Sequence, residues 1–494
     1  MTSKKTSIIK ISQVILIFLS IFFIRFGMLN KSSNFNGLDG YFYGLQAESF
    51  AKTGSLENPD METGYYICGI LSFIFNDSIL GVKIWAALSF AIFCLSVFSL
   101  VYSLVQKNKF SYGLTAMIFS SGLFFATGFS INFINNLTGL IFLIFYIQVF
   151  ISLFKSQNHL TLKIILLVLL FVLSCISHKV SFLYTLAFSV IYTSSKFTKY
   201  LKNKKVLIGS LIFLVLFSIA AIYIIIKQSA RFANTFGLPS LPVFHKEFIN
   251  ALGDKGFYGA VEISIIFIFA WILFVTDIFL SKKISLISVL LIILFFPFWD
   301  LGTDMAYRMM MNGTILGIPL IFYNLSILFE NKKTLFVNIS LYILSGLSFI
   351  SLCFTPLAYN PELDPPYDYY KTVIAPVELD DDTLLIAHLG LNHVYTYYKN
   401  FRDCMNWLPD YEISDDKVWR LAFDADYDRI CSFFPEINPE DLQKEIKILD
   451  KSYILIKETL WQEYLNREEE DISETYKNWF NPYEVRPSYI RKLK

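Results

Sequence analysis

Cysteine and charged residues are both scarce in this sequence. The first scarcity argues against a cysteine-based metal or redox site, and the second argues against a soluble protein. The six cysteines among 494 residues show no C-x-x-C spacing, so no cysteine metal or redox motif is indicated. Charged residues make up only 17% of the chain, whereas 55% is hydrophobic. A soluble domain cannot bury that much apolar surface, and repeated apolar runs of ~18 residues or more are typical of transmembrane helices. The composition therefore predicts an α-helical polytopic membrane protein.

The chain also lacks an even distribution of charge. Residues 1–355 hold 26 Lys and Arg against 13 Asp and Glu, whereas residues 356–494 hold 16 against 28. Four prolines from position 356 to 366 indicate a stiff linker where the composition changes. We therefore predict a transmembrane domain at 1–355, with a first loop at 29–79, and a soluble α/β domain at 356–494.

The apolar segments of the N-terminal part predict eleven transmembrane spans. They lie at about 8–28, 80–105, 111–128, 133–154, 160–176, 180–195, 206–226, 258–280, 284–298, 311–329 and 334–355. The first segment is longer than a signal-peptide core and lacks a small-x-small cleavage site, so we expect an uncleaved helix. The segments at 160–176 and 180–195 are short and could instead form a tilted or re-entrant pair.

Lysine predicts the orientation of these spans. With a cytoplasmic N-terminus, every inner turn carries lysine, as the positive-inside rule requires; these turns are 107–109, 155, 196–205, 281–283 and 330–333. Of the 13 acidic residues in the membrane part, only Asp277 and Glu330 fall near the inner face. An odd number of spans then places the tail on the outer face, beside the first loop. The predicted location is the bacterial inner membrane, with a periplasmic C-terminal domain.

The tail carries local signals for strands and for one helix. Segments 382–390, 418–425 and 451–458 predict strands, and 438–449 predicts a capped amphipathic helix. The stretch HLGLNHVYTYYKNFRDCMNWLPD is rich in aromatic residues, a composition that suits sugar binding and also ordinary half-buried surface. Cys404 and Cys431 could pair in an oxidising compartment or remain free thiols.

Polar residues accumulate on the predicted outer face. They are Asp39, Glu48, Asn132, Asn135, Asn136, His178, Lys179, Arg231, His245, Asp254, Asp300, Asp304 and Arg308. The predicted inner face holds mostly lysines, which anchor helices at the lipid headgroups. Ionisable residues of both signs on one face favour a functional site there, against the simpler interpretation that wet loops are polar.

The stretch NGLDGYFYGLQAESFAKTGSL, at 36–56, has acidic residues among aromatics directly after the first apolar segment. Asp39 can cap the N-terminus of a helix, and Gly54 suits the left-handed position that closes one. The helix between them could lie along the bilayer surface with one apolar face. The residues of this predicted face are Phe42, Leu45, Ser49 and Phe50. A second amphipathic segment, at 64–77, is too short to span comfortably.

Three stretches resemble GT-C-type glycosyltransferases, polytopic enzymes that take a sugar from a polyprenyl-phosphate lipid. DGYFYGLQAESFAKTG is similar to their first-loop pattern D-x-x-Y/F-Y-x-L-x-x-A-x-x-x-x-x-G. SINFINNLTGLIFLIFY, at 130–146, resembles the segment that opens their fourth span, and ISHKVSFLYTLAF, at 176–188, resembles an x-H-x-x-x-x-x-L turn. The likeness in architecture extends over residues 8–355. The doubled acid of some relatives is absent, since position 41 is Tyr.

The resemblance implies transfer of a hexose or pentose from a polyprenyl-phosphate donor to a glycan, lipid or protein acceptor, with inversion. Asp39 matches the position of the general base, and Glu48 is the next candidate. The phosphate that leaves needs a cation to hold it, preferably an arginine that binds in a bidentate manner. Arg308 suits this role, with Arg231 and Lys179 as alternatives.

Further substrate contacts are expected from four polar residues: Asn135, His178, Asp304 and His393. A divalent metal held by Asp39, His178 and either Asp300 or Asp304 is chemically possible, but no local spacing requires it. The expected partners are the lipid-linked donor, the acceptor and membrane lipids. No nucleic acid is expected.

Simpler interpretations of these residues stay open. Asp39 could serve only as a helix cap, Arg308 could pair with Asp304 one turn earlier, and His178 could be an ordinary residue of a wet turn. For the whole protein, the alternatives are a transporter or lipid flippase, an O-antigen-type polymerase or ligase, and a scaffold that displays the tail. A transporter is expected to show interrupted helices and internal repeats, and the sequence shows no repeat.

Overall fold

The structure is a computed structural model in which helices dominate. It describes residues 2–37, 39–57, 62–123, 128, 133–155, 158–200, 256–281, 287, 289, 291, 303–330, 334–358, 375–379, 383–387, 391–399, 404–405, 417–423, 435–449 and 453–467. The helices before the first strand are α1 (Thr2–Leu29), α2 (Gly40–Thr53), α3 (Thr63–Phe75), α4 (Ser78–Leu104), α5 (Lys109–Ser121), α6 (Ile134–Lys155), α7 (Leu160–Ser177), α8 (Lys179–Tyr200), α9 (Gly256–Ser281), α10 (Thr303–Leu328) and α11 (Thr334–Ala358).

Within the described residues, six helical stretches are long and apolar enough to cross a membrane. They are Ser7–Leu29, Ser78–Leu104, Ile134–Lys155, Leu160–Ser177, Val261–Phe279 and Leu335–Phe354. An apolar helix of about 20 residues matches the hydrocarbon thickness of a bilayer. The chain is therefore a helical membrane protein.

The eleven predicted spans are only partly matched. Segment 206–226 and most of 284–298 lie outside the described residues. Segment 111–128 corresponds to α5, which ends at Ser121. The segments at 180–195 and 311–329 form the shorter apolar stretches Lys179–Thr193 and Asn312–Leu328.

The helices divide into central and peripheral ones. Most of α4 and α6 is buried, and Phe93 and Ile144 from these two helices are fully buried in the main apolar core. Helix α1 instead exposes large apolar side chains, among them Leu16 and Phe23. Helices α7 and α11 do the same. Exposed apolar stripes of this kind suit contact with lipid, because lipid tails are as apolar as the side chains themselves.

The chain forms two compact units. The membrane unit comprises Met1–Met28, Asp60–Gly64 and Trp85–Ala358. The loop–tail unit comprises Leu29–Pro59, Tyr65–Ile84 and Tyr359–Lys494. Most of the first loop therefore clusters with the C-terminal tail, while its residues 60–64 cluster with the membrane helices.

The tail contains a five-stranded mixed sheet with the strand order β2-β1-β3-β5-β4. Its elements are β1 (Leu384–Ile386), α12 (Leu391–Lys399), β2 (Cys404–Met405), β3 (Val418–Phe423), α13 (Pro439–Glu445), β4 (Ile446–Ile448), β5 (Tyr453–Lys457) and α14 (Glu458–Arg467). Strand β1 is parallel to β2 and β3, whereas β5 is antiparallel to β3 and β4. A bidentate ion pair between Arg420 and Glu458, with N–O distances of 2.8 and 2.9 Å, joins β3 to α14.

The helix predicted at 438–449 is wrong at its C-terminal end. Asn438 caps the helix as expected, since its side chain accepts the backbone N–H of Glu440 at 3.2 Å. The helix ends at Glu445, and the next three residues pair with β5 as strand β4. Pairing along a sheet edge overrides the local helical pattern here, because strand formation depends on neighbours that the local sequence does not contain.

Candidate functional site

Helix α2 begins and ends where the sequence signals predict. Gly54 lies just past its C-terminus with φ 75°, in the left-handed region, and donates its N–H to the carbonyl of Phe50 at 2.9 Å. Glycine is favoured at such a position because it has no Cβ. The prediction of a helix between Asp39 and Gly54 is thus confirmed.

Asp39 occupies the N-cap position, but its side chain makes no capping hydrogen bond. Its backbone is helical, with φ −75° and ψ −12°, whereas a capping residue usually has an extended backbone. Its carbonyl accepts the N–H of Tyr43 at 3.0 Å. The half-buried carboxylate at the start of α2 is therefore not used as a cap.

Glu48, the second candidate base, forms an ion pair with Lys52 one turn later on α2. The Lys52 side chain is 69% exposed and the Glu48 side chain 35% exposed. Exposed pairs at this spacing contribute roughly 0.3–0.5 kcal/mol to stability. Glu48 is therefore paired with Lys52 at the protein surface, and this pair restrains the position of the Glu48 side chain only weakly.

The buried side of α2 differs from the predicted apolar face. Tyr41, Tyr43, Gly44 and Ala47 are buried, whereas the predicted face is only half-buried. Gly44 is required because a Cβ there would overlap the ring of Phe35. The face of α2 that packs against protein is therefore the one that carries Tyr41, Tyr43, Gly44 and Ala47, and not the predicted apolar face.

That buried side meets the tail at a cluster of four aromatic residues, which we term the tyrosine cluster: Phe35, Tyr41, Tyr397 and Tyr398. Their rings pack edge to face with centroids 5.1 to 6.0 Å apart. The Tyr41 and Tyr398 hydroxyls lie 3.2 Å apart, and Tyr398 also donates to Asn34 Oδ1 at 2.5 Å. Helix α12 thus holds the segment that leads into Asp39.

His393, also on α12, packs against the first turns of α2. Its ring lies tilted on Phe42, with centroids 4.8 Å apart. Burial lowers the pKa of His393 to about 4, so the imidazole is neutral at physiological pH and can both donate and accept hydrogen bonds. The structure therefore places His393 in contact with α2, the helix that has Asp39 at its N-cap position.

Two predicted contact residues lie in the membrane unit. Asn135, in the first turn of α6, is 2% exposed and donates from Nδ2 to the Glu62 carboxylate. His178 is the extended residue between α7 and α8, where its Nδ1 accepts the N–H of Val180 at 3.3 Å. Burying a polar residue in a membrane bundle costs free energy, so a residue of this kind favours a functional site. His178 is buried, so the interpretation as a wet-turn residue does not fit.

The predicted cation site is described only in part. Lys179 is the first residue of α8 and is half-buried. Arg308 and Asp304 lie on successive turns of α10. Arg231 and Asp300 lie outside the described residues, as does Cys431. Within the described part of the chain, no group of three His, Cys, Asp or Glu side chains could hold a metal.

Two of the ionisable residues that the structure places at helix contacts were not predicted as site residues from the sequence. One is Glu62. The other is Arg25, which is fully buried on α1, stacks on Phe90 with the guanidinium 4.3 Å from the ring centroid, and donates to the carbonyl of Ser121 at 3.0 Å. A lone arginine inside an apolar run was the available signal for Arg25.

The fold and these side chains define a helical membrane protein with buried polar groups at the start of α6 and an acidic helix start held by the tail. Comparison with protein-family models gives no match, and no curated protein is significantly similar to the chain.

Proposed function

We propose that this protein is a membrane glycosyltransferase that moves a sugar from a polyprenyl-phosphate donor to a glycan, lipid or protein acceptor. The observation that carries the proposal is the start of α2. Asp39 stands there at the N-cap position, on a helix that the tyrosine cluster packs against the tail. A carboxylate on a rigidly held helix suits a general base, which must be positioned within hydrogen-bond reach of its proton.

The reaction needs few protein groups. Asp39 takes the proton of the acceptor hydroxyl while the oxygen of that hydroxyl forms a bond to the anomeric carbon of the sugar. The bond between that carbon and the phosphate oxygen breaks, and the electron pair leaves with the polyprenyl phosphate. This inverts the anomeric configuration. Arg308 holds the leaving phosphate, because a guanidinium matches phosphate geometry in a bidentate manner.

Contact between the first loop and the tail supports the predicted sidedness. Tyr398 in the tail bonds Asn34 in the loop, as expected if both segments lie on one side of the membrane. The first loop follows the first span, and a shared side therefore requires an odd number of crossings before the tail. The eleven predicted spans meet this requirement. The positive-inside rule then assigns that side to the outer face.

The transporter alternative has less support in the described helices. Helix α10 continues without a break through Pro319, whereas transporter sites are typically built on interrupted helices. Arg25 and Asp277, two of the buried ionisable residues in the described helices, each lie about one turn from the C-terminal end of their helix. These features favour chemistry at a membrane face over passage through the centre.

Purified protein in lipid vesicles provides the test. Polyprenyl-phosphate hexoses and pentoses are supplied with an extract of envelope glycans and lipids, and the release of free polyprenyl phosphate is measured. Release by the wild type and not by protein-free vesicles is the expected result. Intact donor crossing the vesicle membrane without release would instead indicate a flippase, and inertness toward every donor would refute the proposal.

A further inference from the structure

A short piece of the first loop enters the membrane unit and brings a carboxylate with it. Residues 60–64 cluster with the membrane helices, unlike the loop on either side. Glu62 in this piece accepts a hydrogen bond from Asn135 Nδ2. Gly64 packs so closely on Asn135 that a Cβ at position 64 would overlap Asn135 Oδ1. Glu62 is thus held at a defined place beside the start of α6.

The start of α6 suits an ionised carboxylate. The first backbone N–H groups of a helix lack partners within the helix, and the helix dipole adds a partial positive charge there. Asn135 lies in this first turn and supplies a side-chain donor in addition. Since Glu62 is only half-buried, its carboxylate can also reach a ligand from solvent or from the membrane surface.

The next residue of α6 carries a buried donor with no acceptor. Asn136 is 1% exposed, and its Oδ1 accepts from Asn312 Nδ2 at 2.9 Å. Among the residues that the structure describes, neither its Nδ2 nor the buried hydroxyl of Ser181 has a hydrogen-bond partner. Ser181 packs against Gly139, one turn after Asn136 on α6, where a Cβ would collide with it. A buried donor or acceptor left without a partner loses its hydrogen bonds to water without replacement, so these groups suit a hydroxyl-bearing ligand.

We propose that Glu62, together with the amides of Asn135 and Asn136, binds hydroxyl groups of the sugar carried by the lipid-linked donor. Sugar hydroxyls both donate and accept, so one can donate to the Glu62 carboxylate and another can accept from the Asn136 amide. This inference rests on the proposed function. It assigns donor recognition to Glu62, which is a different residue from the general base.

Carbodiimide labelling of Glu62 tests binding without relying on turnover. The wild-type protein in vesicles is labelled in the presence of the polyprenyl-phosphate sugar that it consumes, of undecaprenyl phosphate without a sugar, or of neither, and peptide mass spectrometry reports the modified glutamates. We expect the sugar-bearing lipid to slow labelling of Glu62 several-fold, and the sugar-free lipid to leave it unchanged. Glu57, exposed in the same loop, should label equally in all three conditions. Equal labelling of Glu62 in all three conditions would refute the inference.

Kinetics of Glu62→Gln separate this inference from the proposed function. The glutamine keeps an oxygen for Asn135 but loses the charge, so we expect the KM for the donor to rise at least ~10-fold, as for a lost hydrogen bond to a charged group. Glu57→Gln serves as the matched control and should match the wild type. Transfer by the wild type with an unchanged KM in Glu62→Gln refutes the inference alone. Absence of any transfer by the wild type refutes the proposed function, and the donor site with it. If Glu62→Gln fails to fold, the labelling of the wild type decides.

Discussion

The phenolic hydroxyl of Tyr398 donates to the side-chain oxygen of Asn34 at a distance of 2.5 Å, although the two residues are 364 positions apart in the chain. This bond joins the C-terminal tail to the loop that follows the first helix. It lies beside the packed rings of Phe35 and Tyr41. The tail is therefore part of the structure that positions Asp39.

Removing this hydroxyl should loosen the first loop. Tyr398→Phe keeps the ring but leaves the buried Asn34 oxygen without its donor, which costs about 1–3 kcal/mol. Backbone hydrogen exchange in the segment around residues 34–41 should be faster by the factor that corresponds to this free-energy cost. Exchange in α6 should not change. Tyr342→Phe, at a position 63% exposed on α11, is the matched control and should exchange like the wild type. Unchanged exchange in Tyr398→Phe would show that the tail does not hold the loop.

Asp39→Asn should reduce transfer at least ~10²-fold, because an amide cannot take a proton at neutral pH. Stability should change much less than turnover, since Asn is about as good an N-cap as Asp. Turnover and a thermal melt measure the two effects. Glu48→Gln is the companion variant and should retain activity within a few-fold. The reverse pattern would move the base to Glu48.

Arg308→Lys should weaken donor use although the charge is kept. An ammonium lacks the planar fork that binds two phosphate oxygens at once. Transfer rates against donor concentration should show a higher KM in this variant. Arg231→Lys and Lys179→Arg test the alternative cations by the same assay. Wild-type kinetics in Arg308→Lys would point to a structural pairing with Asp304.

Acid should destabilise the loop–tail unit through His393. Its pKa is lowered to about 4 by burial, against ~6.5 in an unfolded chain. The unfolded state therefore binds a proton first as the pH falls, so stability is full above pH ~6.5 and declines between ~6.5 and ~4, by at most about 3 kcal/mol. His393→Gln should flatten this part of the profile in melts recorded against pH. His159→Gln, at an exposed position, should leave the decline in place.

Cysteine labelling tests the orientation. In a variant without its native cysteines, Lys444→Cys in the tail should react with an impermeant reagent in intact cells. Lys107→Cys, in a predicted inner turn, should react only after lysis. Both lysine side chains are well exposed, at 71% and 63%, so access differs only by side. Labelling of position 107 in intact cells would reverse the predicted topology.

Local signals in the sequence determined the elements that depend on neighbouring residues. The apolar runs predicted the membrane helices, and Asp39 and Gly54 marked the limits of α2. Positions 418–425 predicted β3, which forms at Val418–Phe423. Each of these signals depends on residues within one helical turn or one strand, so a short stretch of the sequence is enough to predict the element.

Only the tertiary structure decided which distant side chains meet. No local pattern indicates that Glu62 bonds Asn135, that Asn312 bonds Asn136, or that the tail closes on the first loop through Tyr398. The same holds for β4, where pairing with β5 ended a helix that the local pattern would have continued. Periodicity fixes which face of an element is apolar, but the choice of the partner for that face depends on packing across the whole chain.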